Sequence, residues 1–334
     1  MNIIRKLFFF LNPVYLLITK ARNFLFDISF FKVTKFDIPI IGIGNIAVGG
    51  TGKTPMIEYL INLTTDRFNI ATLSRGFGRS TKSFIIADNS STYKDIGDEP
   101  LQFYKKFKNL LVSVDENRVN GVNKLLNIVN PPNLILLDDS FQHRSILPGL
   151  SILLTDYQNL YCNDYVLPFG NLRESRSSSN RADVIIVTKS PENLSQIQKK
   201  LIIKSLNLKA SQKLFFSSIE YSEEVFSLED SIKFTEFSKQ SFKLITGLAN
   251  PNHLINFLNK NNCNYDHLKF KDHYNYSKYD LKNISESEII LTTEKDFVKL
   301  STIFKDRPIY YLPIQIKLHS KEKFDNLILN YCDN

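Results

Sequence analysis

Residues 44–55, GNIAVGGTGKTP, set four glycines, a lysine and two threonines in an order suited to holding phosphate. Gly49, Gly50 and Gly52, with Thr51 between them, allow successive backbone N–H groups to turn inward around phosphate oxygens. A helix starting just beyond adds the partial positive charge of its N-terminus. Lys53 would then reach the β- and γ-phosphates of ATP, and the Thr54 hydroxyl would sit on Mg2+. The pattern G-x-x-x-x-G-K-[ST] calls for glycine at position 47, where this chain has Ala47.

Four further groups could take part. An apolar run at 134–137 ends in Asp138–Asp139, and an acid at the end of a buried strand, some 85 residues past the glycine-rich turn, suits Mg2+ or its water. Asp138, which ends the strand, is the better metal ligand of the two, while the nearby His143 taken alone reads more readily as structural. SRGFGR at 74–79 offers the Arg75 and Arg79 guanidinium forks, equally a phosphate site or a solvated basic loop. GDEP at 97–100 places Asp98 and Glu99 where a helix begins, and by itself that is an N-terminal acidic cap. Arg173, Arg176 and Arg181, among small polar residues at 169–183, suit an anion-binding loop or a plain linker.

These residues need elements to position them. Residues 38–43 read as a buried strand, and Met56, Ile57, Tyr59, Leu60 and Ile61 recur at helical spacing behind the turn, giving strand, turn and helix in the order a P-loop requires. Further strands are predicted at 69–73, 134–137, 151–155, 184–188, 213–219, 243–246, 289–293 and 309–316, with helical patterns between several of them. The fold class is therefore α/β: a P-loop core with a largely parallel sheet and helices on both faces, then a smaller α/β domain. The expected division is 1–35, 36–225 and 226–334.

The three cysteines, Cys162, Cys263 and Cys332, are too scattered for a disulfide framework or a Cys-rich metal site, so a reducing cytoplasm fits. Of the net charge of +8, five units lie in the first 35 residues, where six basic residues face Asp27 alone. That segment is also apolar, from Leu7, Phe8, Phe9, Phe10 and Leu11 to Phe30 and Phe31. Asn12–Pro13 and Lys20–Arg22 break it well short of the roughly 20 apolar residues of a spanning helix. No small-residue cleavage site follows it, which argues against a signal peptide. Its mixture of bulk and charge suits a helix lying in the headgroups of an anionic membrane, with a core helix as the alternative.

Together GNIAVGGTGKTP, SRGFGR, GDEP, LDDSFQH, LRE, VTK, FKDHY and TTEKDFVKL follow the order and spacing of the tetraacyldisaccharide 4′-kinases, which the chain resembles to about residue 300. The resemblance implies a monomeric enzyme at the cytoplasmic face of the inner membrane. It would transfer the γ-phosphoryl of ATP, with Mg2+, to the 4′-hydroxyl of a lipid disaccharide 1-phosphate in lipid A synthesis. It also implies that Asp98 is the catalytic aspartate, Glu99 its neighbour and His273 its partner. Asp138 and Asp139 would be the acidic pair near the metal, with Gln142, His143 and Arg173 lining the site. The family generally has Gly where Ser140 stands, so a positive φ there would cost about 1 kcal/mol or more.

Two rival classes use some of the same parts. A P-loop ATPase or GTPase switch, or a nucleic-acid-associated NTPase, would share the turn and the acidic strand end. No N-K-x-D guanine signature occurs, although VTKS at 187–190 occupies a comparable strand end, and the basic excess sits in an apolar helix rather than in a polar nucleic-acid-binding stripe. A non-catalytic membrane adaptor would leave the acidic and histidine motifs unexplained.

Overall fold

The computed structural model describes residues 12–304 and 307–333. Among the described residues fifteen strands form two sheets. The first eight in chain order are β1 (Ile40–Gly44), β2 (Ile70–Ser74), β3 (Ile85–Ile86), β4 (Leu111–Val114), β5 (Leu134–Leu137), β6 (Leu150–Asp156), β7 (Val184–Thr188) and β8 (Lys213–Tyr221). The next six are β9 (Glu224–Phe226), β10 (Ser231–Lys233), β11 (Ser241–Thr246), β12 (Asn264–Lys269), β13 (Ile290–Thr292) and β14 (Ile309–Tyr311), and the last is β15 (Ile314–Leu318). The first sheet has the order β15-β8-β7-β6-β1-β5-β2-β4-β3, the second β10-β9-β14-β13-β11-β12.

Pairing in the first sheet is parallel except at its edges, β3 on β4 and β15 on β8. The central strands β1, β2, β5 and β7 are buried along their whole length, because helices cover both faces and the sequence answers with runs such as LILL and VIIVT. Met56, Ile57, Leu60 and Ile61 of helix Lys53–Thr64 pack on one face with Phe324 and Ile328 of helix Lys321–Asp333. On the other face lie Val122 and Leu125 of helix Arg118–Leu126, and Ile202 and Leu206 of helix Gln196–Leu206. β1 lies between β6 and β5. The P-loop therefore leaves the sheet beside the Asp138 end of β5, at the carboxyl edge where open α/β sheets bind ligands.

The strand expected at 309–316 is two strands. Leu312 and Pro313 interrupt it, β14 stays in the second sheet, and β15 returns to the first. The chain thus crosses between the sheets twice, at Ser222 and at Pro313, and the two crossings are joined by a hydrogen bond from Ser222 N to Pro313 O of 3.0 Å. Five strands fall outside the sequence reading: β3 and β10, of two and three residues, β4, too short and polar-flanked to stand out, and β9 and β12, whose charged residues reflect their half-exposed positions.

Helix Asn12–Asp27 buries no residue completely. Its inner side touches the protein through Tyr15 and Leu16, and Leu17, Ile18 and Phe24 face outward. It is accordingly not a core helix. Among the described residues no helix is long and apolar enough to cross a membrane. The apolar residues 7–11 lie outside the described residues.

Candidate active site

The P-loop is shaped by backbone that few residues other than glycine accept. Gly52, the residue before helix Lys53–Thr64, has φ 87°, and Gly49 has φ 106°. Gly44 matters for proximity: a Cβ there would come within 2.7 Å of Phe141 Cβ, so the strand can pass directly under the FQH loop only without one. Asn45 braces the loop from within, its amide donating to Thr51 Oγ1 at 2.7 Å. From β7, Thr188 Oγ1 donates to Thr51 O at 2.8 Å and Lys189 Nζ to Gly50 O, so VTK acts here as a prop beneath the phosphate cradle.

The acidic pair divides its tasks. Asp139 receives the Arg173 fork in two hydrogen bonds of 2.8 and 3.0 Å, with Lys53 Nζ 3.6 Å away. Burial works against its charge, but Arg173 and Lys53 outweigh it and hold the carboxyl well below the usual range. Asp138 is the opposite case. It is buried, its Oδ1 has no hydrogen-bond partner, and burial followed by repulsion from Glu99 pushes its pKa up to about 7. The turn after β5 does contain a left-handed residue, but it is Asp139, at φ 46°, rather than Ser140. Aspartate tolerates that region, so the strain expected at Ser140 is absent. Ser140 N instead donates to Ile43 O at 3.1 Å.

Asp98 opens helix Asp98–Lys106, with Gly97 before it as the cap residue and no side chain capping the end. The carboxylate faces two ways: Oδ1 accepts from Glu99 N of the first turn at 3.0 Å, while Oδ2 lies 2.9 Å from His273 Nδ1 and 2.8 Å from Lys299 Nζ. Burial raises its pKa, yet His273, Lys295 and Lys299 together hold it well below the carboxylate range. With Asp98 ionised, Nδ1 of His273 must carry the proton, and Nε2 is left as the basic nitrogen. His273 is itself held at φ 55°, and its ring lies 4.8 Å from that of Phe77 of SRGFGR. Asp98 thus comes from the helix packed on the first sheet and His273 from the loop after β12 of the second.

Every candidate named from sequence except Arg79, Arg176 and Arg181 lines one cleft of about 930 Å3 between the two sheets. Arg75 stands exposed in it with no acidic partner among the described residues, whereas Arg79 is tied to Glu116 outside it. Glu99 accepts the Thr54 hydroxyl at 2.9 Å. Gln142 donates to Asn45 O at 2.9 Å, and burial with the Arg118, Arg75 and Arg22 charges pushes His143 down to about 4, so it is neutral at ordinary pH. Arg176 and Arg181 serve the loop itself, Arg181 pairing with Glu174 at 2.8 Å. The N-terminal helix reaches the same cleft: Tyr15 Oη donates to Arg173 O at 3.0 Å and Arg22 to Gln142 O at 2.8 Å.

Two residues were not singled out in the sequence. Lys299 pairs with Asp98, and the sign was there, since Lys295 and Lys299 stand four apart on one helix face and two cations so placed need an acid opposite. Buried Arg118 donates to Asp138 O at 3.2 Å and to Asp115 O at 2.6 Å, fixing the turn that carries the acidic pair. Nothing in DENRVNG distinguishes it from a surface arginine.

The family model for tetraacyldisaccharide-1-P 4′-kinase matches residues 4–333. The chain belongs to that family. A tetraacyldisaccharide 4′-kinase of Flavobacterium johnsoniae is 45% identical, with 99% of this chain and 98% of that one covered. One from Bacteroides thetaiotaomicron is 39% identical, with 98% and 93% covered. Among solved structures, LpxK from Aquifex aeolicus, crystallised in complex with ATP, superposes with a TM-score of 0.80 at 28% identity, covering 98% of this chain and 99% of that one.

Proposed function

We propose that this protein transfers the γ-phosphoryl group of ATP to the 4′-hydroxyl of a tetraacylated disaccharide 1-phosphate, the lipid kinase step of lipid A synthesis. The observation that carries the reading is the Asp98–His273 pair, assembled from both sheets over the cleft that holds the P-loop. A plain NTPase switch has no need of a buried acid–histidine pair aimed at an acceptor.

In this reading the P-loop amides and Lys53 hold the β- and γ-phosphates, and Arg75 offers a free fork to a phosphate oxygen. His273 Nε2 takes the proton of the attacking hydroxyl, while Asp98 fixes the ring and stabilises the imidazolium. Arg173 holds Asp139, and through Asn45 O it also holds the P-loop in register with the acidic turn.

The residues present fit Mg2+. Asp138 has a buried, unpartnered oxygen beside Glu99 and the Thr54 hydroxyl, an excess of negative charge that a cation would relieve. No protein cage of three or more His, Cys, Asp or Glu exists among the described residues, as suits an ion that keeps waters and binds through one or two carboxylates plus phosphate. When bound, it would neutralise charge on the β- and γ-phosphates.

We further assign the outward face of helix Asn12–Asp27 to an anionic membrane surface, at the cytoplasmic side of the inner membrane, with the protein acting as a monomer. Its exposed Leu17, Ile18 and Phe24 support this, and its inner side already lines the cleft, so a lipid head group could enter while the acyl chains stay in the bilayer. The expected division near residue 225, with 314–333 returning to the first lobe, would separate two lobes that close over both substrates and exclude water.

The test is ATP with the disaccharide 1-phosphate in detergent micelles, scored for 4′-phosphorylated lipid and ADP. Equal amounts of both, with little ADP when lipid is omitted, is the expected result. ADP release that ignores the lipid and yields no phosphorylated product would overturn the proposal in favour of a plain NTPase.

A further inference from the structure

Helix Gln196–Leu206, QIQKKLIIKSL, carries apolar residues on two sides. Ile202 and Leu206 are buried against the first sheet, as a surface helix requires. Ile197 and Leu201, four apart on the opposite side, are 73% and 60% exposed, and Ile203 on the flank is 46% exposed. Lys200 and Lys204 lie along the same outward side, also exposed, and the helix contains no acidic residue. Its first turn is fixed by a capping box in which Ser195 and Gln198 satisfy each other's backbone N–H groups, so this face is rigidly presented.

The position of this face matters as much as its composition. Ile202 and Leu206 belong to the same apolar cluster on which Tyr15 and Leu16 of the N-terminal helix rest. Both helices therefore cover the same face of the first sheet, and Leu17 and Ile18 of the N-terminal helix are 69% and 62% exposed there. The helices packed on the opposite face include Lys321–Asp333.

We propose that the outward face of helix Gln196–Leu206 is a second contact with an anionic lipid bilayer, inserting Ile197 and Leu201 beside the N-terminal helix. The inference rests on the membrane assignment given above. Lys200 and Lys204 would bury their stems and keep their ammonium groups at the phosphate level, the arrangement that lets a basic amphipathic helix lie in an interface. A second copy of the chain is the poorer occupant, because a two-fold contact through this face would set Lys200 and Lys204 of one copy against those of the other. Two attachment points do what one cannot: they prevent the protein from rolling about the N-terminal helix, and so hold the cleft mouth at the membrane. They also raise avidity, since the second contact forms at high effective concentration once the first is made.

The chain contains no tryptophan, so single reporters can be placed without background. Leu17→Trp, Leu201→Trp and, on the opposite sheet face, the exposed Asn326→Trp are compared on vesicles of phosphatidylethanolamine and phosphatidylglycerol with brominated acyl chains. The expected result is emission lowered by about half for Leu17→Trp and Leu201→Trp and unchanged for Asn326→Trp. Quenching of Leu17→Trp with Leu201→Trp no different from Asn326→Trp overturns the second contact and leaves the first standing. Absence of quenching at both removes the membrane assignment with it. A concentration-dependent blue shift of Leu201→Trp without vesicles would identify self-association instead and overturn the proposal. As a second measure, Lys200→Glu with Lys204→Glu should weaken vesicle binding about tenfold at low salt.

Discussion

Lys299 Nζ lies 2.8 Å from Asp98 Oδ2, the same oxygen that receives His273 Nδ1. His273, Lys295 and this buried ammonium thus together hold the aspartate ionised. In Lys299→Met, Asp98 loses a cation that depresses its pKa, so its folded pKa rises. A depressed aspartate stabilises the fold above its unfolded pKa and loses that contribution as pH falls through the folded value, so the variant should begin losing stability at higher pH than the parent. Breaking a buried pair costs about 3–5 kcal/mol. The acid limb of the kcat/KM profile should move to higher pH, and an unmoved limb would reduce Lys299 to a structural ion pair.

Asp98→Ala and His273→Ala should each lower kcat by roughly 10^2–10^4, the range of general acid–base catalysis. Because the carboxylate acts through the ring, the double variant should fall little below the worse single one. A cycle measured at saturating ATP and lipid decides it, and losses that add in log rate would separate the two residues.

Asp138→Asn should stabilise the apo protein while abolishing most activity. With its pKa raised to about 7, Asp138 is an unfavourable buried charge above that pH. The cost is absent below the unfolded pKa and appears as pH rises toward 7, on the order of a few kcal/mol. The gain in Tm should therefore be present at pH 8 and vanish near pH 4. Adding Mg2+ with ATP should raise the Tm of the parent more than that of the variant.

Leu17→Asn with Ile18→Asn should release the protein from anionic vesicles without changing KM for ATP, because both residues point away from the Tyr15 and Arg22 hydrogen bonds. Burial of such a side chain contributes about 1.5–3 kcal/mol, so affinity should drop at least tenfold. Deleting residues 1–31 is the blunter experiment, since it also removes those hydrogen bonds to Arg173 and Gln142. Unchanged vesicle sedimentation of the double variant would reject the interfacial helix.

What the sequence revealed depended on how local the cause was. The P-loop and the strand before Asp138 were legible because glycine spacing and apolar runs are one-dimensional signals. GDEP by itself read as a cap, since only its three-dimensional neighbours, His273 and Lys299, draw Asp98 Oδ2 inward. The two arginines of SRGFGR could not be told apart either: Glu116, which captures Arg79 and leaves Arg75 to the cleft, comes from a different strand end. The expected strand at 309–316 failed for a related reason, because an apolar run does not show which sheet each half joins.

That split strand has a mechanical consequence. One connecting segment would leave the two sheets three independent rotations relative to each other. Here the connections at Ser222 and Pro313 run side by side and are hydrogen-bonded, so if the two lobes close as proposed they would act as the paired leaves of a door hinge and leave essentially one. Asp98 and His273, carried on opposite panels, would then separate and return along a single arc. The catalytic distance would be reset by the same swing in every turnover, without a search over orientations.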